Sequence, residues 1–162
     1  MTLQHQFTPE QRAEMIAQIR QLPELLANAV HGLTPAQLTT HFLPNEWSVA
    51  QNVHHVADAH VNVFFRMKQM LTTDQPQIQR VDQDAWAALP DADNADIETS
   101  LTLLRGLHAR WAMLLESLTP EQWLRAVIRN NGMASTMEDQ LRIYSGHGEA
   151  HIQQISKTLA AK

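Results

Sequence analysis

The 162 residues contain no cysteine, which excludes disulfides, thiolate metal ligands and a cysteine nucleophile together. A metal held by this chain must be bound by imidazole or carboxylate, and thiol chemistry must use a thiol that arrives from outside. Cations are scarce as well. Twelve Lys and Arg against 17 Asp and Glu leave a formal net charge of -5, with no basic cluster. Nucleic-acid binding rests on clustered cations that neutralise phosphates, so no nucleic-acid partner is expected. No apolar run approaches the roughly 20 residues of a membrane helix, and the opening MTLQHQFTPEQ lacks a basic stretch followed by an apolar one. The expectation is a cytoplasmic protein with no membrane contact. A phosphate-binding glycine loop and a recognisable Ser-His-Asp order are also missing.

What is present is helical periodicity. With 44% apolar and 18% charged residues the composition suits a folded domain, and the length suits one, so residues 1–162 are read as a single domain. Thr8-Pro9-Glu10-Gln11 has the form of an N-cap, a Pro at the first helical position and a Gln at the third; it opens helix one, which runs toward Ala29 with a weak point at Pro23. Thr34-Pro35-Ala36-Gln37 and Thr119-Pro120-Glu121-Gln122 repeat the signal before only a few helical residues. Ser48-Val49-Ala50-Gln51 opens helix two, with Val49, Val53, Val56, Val63, Phe64, Met67 and Leu71 at helical steps to about Thr72. Helix three spans Asp96 to Leu118 on the stripe Ile97, Leu101, Leu104, Leu107, Trp111 and Leu115. Ser135-Thr136-Met137-Glu138 opens helix four, which runs to about Ala160.

No long polar–apolar alternation marks a strand, although Ala126 to Ile128 has room for a brief pairing. The fold class is therefore all-α, a four-helix bundle. The stretch from Thr73 to Ala95 far exceeds the usual bundle connection of about 2 to 8 residues and allows a long crossover between helices two and three. Trp86, in its middle, is expected to anchor that crossing by packing on the helices.

Nine histidines carry most of the chemical interest. His147 and His151 sit four apart in helix four, so their rings stack one above the other and can share a metal. That spacing alone is weak, since this histidine content yields about 0.4 to 0.5 such pairs by chance. In HGEAH, Glu149 follows His147 by two residues instead of one, which disfavours a zinc-protease arrangement. Gly146 and Gly148 flank His147 at a cost of about 0.5 to 1 kcal/mol each in a helix, so they signal either room for a ligand or close helix packing. In helix two, His60 falls inside the apolar stripe, His54 lies toward the opposite side and His55 on a flank. Asp58 is within reach of both the His54 and His55 rings, either as an orienting carboxylate or as an ordinary surface acid.

Four stretches, WSVAQNVHHVADAHVNVFFRMK, VDQDAWAALPDA, LTLLRGLHARWAMLL and MEDQLRIYSGHGEAHIQQI, resemble in that order the DinB-like metalloproteins. Within these the chain is similar to the YfiT-like branch of metal-dependent hydrolases related to bacillithiol transferases. The resemblance implies a divalent metal, Zn or Ni foremost and otherwise Fe, Mn or Co, held by His55, eight residues after Trp47, and by His147 and His151. It makes His60 a packing or pocket-wall residue, places His54 and Asp58 beyond the ligands, and implies a homodimer. There are departures: no Pro-Ile-Gly segment precedes helix one, Arg129-Asn130-Asn131-Gly132 stands where His-Pro-acidic is frequent, and Ser145-Gly146 stands where a bulky aromatic is frequent. They surround the pocket and bear on the substrate.

Three neutral imidazoles leave coordination positions open for a small-molecule substrate. The reading is an enzyme that activates a low-molecular-weight thiol for S-transfer, or water for hydrolysis. The alternative is a helical bundle that binds a ligand or partner without turnover and uses the metal structurally.

Overall fold

The start signals set most of the helix boundaries. A computed structural model describes residues 4–74, 76–78, 81–128 and 132–161. Thr8 Oγ1 accepts the Gln11 N–H while Gln11 Oε1 accepts the Thr8 N–H, and this reciprocal cap opens α1 (Pro9–Ala29). The same cap, from Thr34 and Gln37, starts the short α2 (Pro35–Thr39). Ser48 and Gln51 repeat it at α3 (Val49–Thr72). Next come α4 (Gln83–Ala87), capped by Asp82, then α5 (Glu98–Glu116), and α6 (Pro120–Trp123), capped by Thr119 and Gln122. Strands β1 (Ala126–Ile128) and β2 (Ala134–Thr136) pair antiparallel with Val127 opposite Ser135, which supplies the partner that the short Ala126 to Ile128 stretch needed. Residues 129 to 131 of the departure noted above lie outside the described residues.

The last helix, α7 (Met137–Ala160), begins one residue later than its sequence signal suggested. Thr136 and Asp139 form its cap, not Ser135 and Glu138. Tertiary partners explain the shift. Ser135 is engaged in β2 and accepts from Gln140 Nε2 at 2.8 Å, while Glu138 is buried and accepts from Arg12, His5 and the Gln6 N–H.

Contacts between helices give their directions. His54 meets Ser100, His60 meets His108 and Met67 meets Trp111, so residue numbers rise together and α3 and α5 are parallel. Arg12 meets Glu138 and Leu22 meets Gly148, so α1 and α7 are also parallel. Arg20 pairs with Glu116 and Glu24 with Arg105, which makes α1 and α5 antiparallel; His60 with His147 and Asn52 with His151 do the same for α3 and α7. The order is up-down-down-up. Parallel neighbours α3 and α5 require the intervening chain to travel the length of the bundle, and the long connector does so: Ile78 and Val81 lie along the outer face of α3 and α4 reaches its beginning. There Gln51 Nε2 donates to the Ala87 carbonyl at 2.8 Å.

The anchor of that crossing is Ala87, not Trp86. Ala87 and Ala92 are buried, whereas Trp86 keeps 40% of its surface exposed and forms a cavity wall. Two apolar clusters fill the bundle. One gathers Ile16, Ile19, Val63, Met67, Trp111 and Leu141; the other gathers Leu22, Leu26, Val53, Val56, Leu104 and Ile155. Among the described residues no helix is long and apolar enough to cross a membrane.

Candidate metal centre

Where α3 and α7 run past each other, His55, His147 and His151 converge. One nitrogen from each ring lies within 4.8 Å of the other two, and the ring centroids are 4.6 to 5.4 Å apart. Nitrogens on a tetrahedral zinc at 2.0–2.1 Å are separated by about 3.4 Å, so small side-chain rotations would close this triad on an ion. Trp47 backs the group, its ring 4.7 Å from His55 and stacked at 6.1 Å on His151.

A ligand must offer a lone pair, and the surroundings supply one. Burial, then the neighbouring His151, lowers His55 to about 4; burial, then His151 and His55, lowers His147 to about 3; burial lowers His151 too. All three rings are neutral at pH 7 and suit a borderline cation.

Hydrogen bonds decide which nitrogen carries the proton. His108 Nδ1 lies 2.5 Å from the Ile19 carbonyl, which can only accept, so Nδ1 is protonated. That carbonyl is free because Pro23, four residues on, has no N–H to bond it: the proline inside α1 creates the acceptor. Burial keeps His108 and His60 neutral. The bare His108 Nε2 then accepts from His60 Nδ1 at 2.9 Å, and the bare His60 Nε2 accepts from His147 Nδ1 at 3.1 Å. His147 is left with its Nε2 lone pair. His151 is arranged independently, for its Nδ1 donates to Asn52 Oδ1 at 2.8 Å and Asn52 Nδ2 donates to the Ser48 carbonyl at 2.9 Å. Its Nε2 is left bare as well. Among the described residues His55 has no hydrogen-bond partner.

Other residues singled out by sequence divide sharply. His60 is the fully buried link of this relay. His54 is buried but belongs to another contact, with Nδ1 2.8 Å from Ser100 Oγ and Nε2 3.3 Å from the Asn94 carbonyl; it faces α5 and the connector, and supports none of the three rings. Asp58 hydrogen-bonds no imidazole among the described residues. Burial, then Asp91, raises it from its ordinary value, and it lines a groove on the outer side of α3. The orienting groups are Asn52 and His60 instead. Of the two glycines, Gly148 serves packing, because a Cβ there would collide with Leu22 of α1; Gly146 faces open space.

Sequence reasoning missed Asn52 and His108. Asn52 had a signal, being three residues before His55 and so on the same side of α3. His108 had none, since its role depends on a carbonyl of another helix.

His55 and His147 form one side of a cavity of about 240 Å³, whose other walls include Ala59, Asn62, Arg66, Trp86 and Tyr144. Among the described residues no fourth His, Cys, Asp or Glu joins the three, so one side of the cluster is left to the cavity. A helical bundle with a three-histidine cluster opening on a cavity is the class this chain represents. A family model for the DinB superfamily matches residues 18–155, and the chain belongs to that superfamily. It is 44% identical over 151 residues, 93% of this chain and 85% of the relative, to a "Putative metal-dependent hydrolase" of Geobacillus thermodenitrificans. It is 38% identical over 149 residues, 91% of this chain and 84% of the relative, to the "Putative metal-dependent hydrolase YfiT" of Bacillus subtilis. The solved structure of YfiT, described as a probable metal-dependent hydrolase with an unusual four-helix bundle topology, superposes with a TM-score of 0.90 at 35% identity, covering 98% of this chain and 91% of that one. A mycothiol-dependent maleylpyruvate isomerase shares the fold at a TM-score of 0.60 and 19% identity, over 96% of this chain and 63% of that one.

Proposed function

We propose that this chain is a metal-dependent enzyme in which His55, His147 and His151 hold a divalent ion, zinc or nickel, beside a substrate cavity. The observation that carries this is the pairing of three neutral imidazoles, two with Nε2 left bare by their hydrogen bonds, with an adjoining cavity of about 240 Å³. A bound ion would supply Lewis-acid activation of an external nucleophile, a low-molecular-weight thiol for S-transfer or a water for hydrolysis. The chain's own residues do the rest. His60 and Asn52 hold two rings in the ligating tautomer, Trp47 backs them, and Trp86 and Tyr144 wall the cavity. A purely structural ion favours closure by four protein donors, and the open cavity beside three favours catalysis.

We further propose a cytoplasmic homodimer, consistent with the partly exposed apolar side chains Val61, Phe65 and Leu103 on α3 and α5. Elemental analysis of untagged protein, followed by a screen of small thiols and electrophiles against ester and amide hydrolysis, tests the activity. Turnover that survives complete metal removal would refute it, and sedimentation showing only monomer at micromolar concentration would refute the dimer.

A further inference from the structure

His55, Ala59, Asn62 and Arg66 follow one another at steps of four, three and four residues, so they occupy one face of α3. That face lines the cavity beside the triad. The cavity shares Asn62, Arg66, Val81 and Trp86 with a larger groove of about 1120 Å³ on the outer side of α3, which places Arg66 at the junction between the two spaces. Its Nε is fully shielded from solvent and has no hydrogen-bond partner, and among the described residues its guanidinium forms no ion pair. Asp58 lines the same groove without pairing with it.

An unpartnered donor on a permanently charged group is costly to bury, and Arg is the side chain whose planar fork matches a carboxylate through two parallel hydrogen bonds. Arg66 lies about 16 Å along the helix axis from His55, and its side chain leans back toward the start of α3. A ligand that spans the two needs a reactive end, several bonds of linker and a carboxylate. Ala59, Val81 and Trp86 offer that linker apolar walls. We propose that Arg66 anchors the carboxylate of a substrate or thiol co-substrate whose reactive end faces His55 and His147. The role given to the reactive end rests on the metal-centred reading above; the anion site rests on Arg66 alone.

The test is calorimetric titration of metal-free and cobalt-loaded protein with 6-mercaptohexanoate, with the neutral 6-mercaptohexanol and with hexanoate, which has no thiol. The expected result is at least a tenfold preference for mercaptohexanoate over the alcohol, abolished in Arg66→Gln and partly retained in Arg66→Lys, with the alcohol's affinity unchanged. Equal affinities in the wild type, a preference that survives Arg66→Gln, or no binding of any probe would overturn the proposal. The wild-type comparison holds even if a variant fails to fold. The metal reading has its own readout, a change in the visible absorption of the cobalt-loaded protein on adding either thiol. If that change is missing while hexanoate and mercaptohexanoate still bind through Arg66, the anion site stands and the metal-centred reading falls.

Discussion

The two halves of α3 bury their residues differently. In the second half the buried residues, Val63, Phe64, Met67 and Met70, are all apolar and pack in one cluster with Trp111 and Leu115, while Arg66 is only partly buried. The first half buries Gln51, Asn52, His54, His55 and His60 within ten residues. A buried polar group is costly unless it is hydrogen-bonded, and four of these five have protein partners: Gln51 on Ala87, Asn52 on Ser48 and His151, His54 on Ser100, His60 on His108 and His147. His55 has none and borders the cavity. The contrast teaches that within α3 burial of a polar side chain does not single out the cavity-facing residue, whereas the lack of a hydrogen-bond partner does.

Removing a proposed ligand should break the contrast most completely. His55→Ala, His147→Ala and His151→Ala should each lower metal affinity by roughly a thousandfold or more, beyond the 10 to 100-fold typical of an outer contact, and leave near-zero metal by elemental analysis. A full equivalent retained by any of the three removes that residue from the ligand set. In the apolar half the effect should fall on stability alone. Met67→Ala, at a fully buried position, should cost about 2 to 5 kcal/mol in denaturant unfolding while keeping its metal; metal loss in the folded variant would show that the halves are coupled.

Acid should act on the polar half of the metal-free protein. His55 at about 4 and His147 at about 3 stay neutral when folded, whereas an unfolded chain protonates them near 6.5. Between those values the unfolded state binds more protons, so stability falls as pH drops from about 6.5 toward 4, by on the order of 3 kcal/mol for each of the two rings. A melting temperature flat across that range would contradict neutral, buried imidazoles.

The smallest effects should separate the two partnered neighbours of the triad. Asn52→Leu strips His151 Nδ1 of its acceptor and should weaken metal binding about 10 to 100-fold. His54→Gln changes only contacts to Ser100 and Asn94 and should leave affinity within about twofold, at a stability cost of about 1 kcal/mol. Equal losses in the two would erase the distinction drawn between them.

The sequence by itself determined the four long helices and most of their starts, because capping and a 3.6-residue apolar period are local: Thr8, Thr34, Ser48 and Thr119 cap where their own neighbours say they should. It also contained the resemblance that singled out His55, His147 and His151, which periodicity could not choose over His60. Tertiary structure decided what depends on atoms far apart in the chain. The cap moved from Ser135 to Thr136 because Glu138 found Arg12, more than a hundred residues away. Trp86 was left at a cavity wall because Ala87 meets Gln51. His60 became a relay because Pro23 frees a carbonyl on another helix for His108, so the tautomer of His147 is written in a proline that no local pattern connects to it.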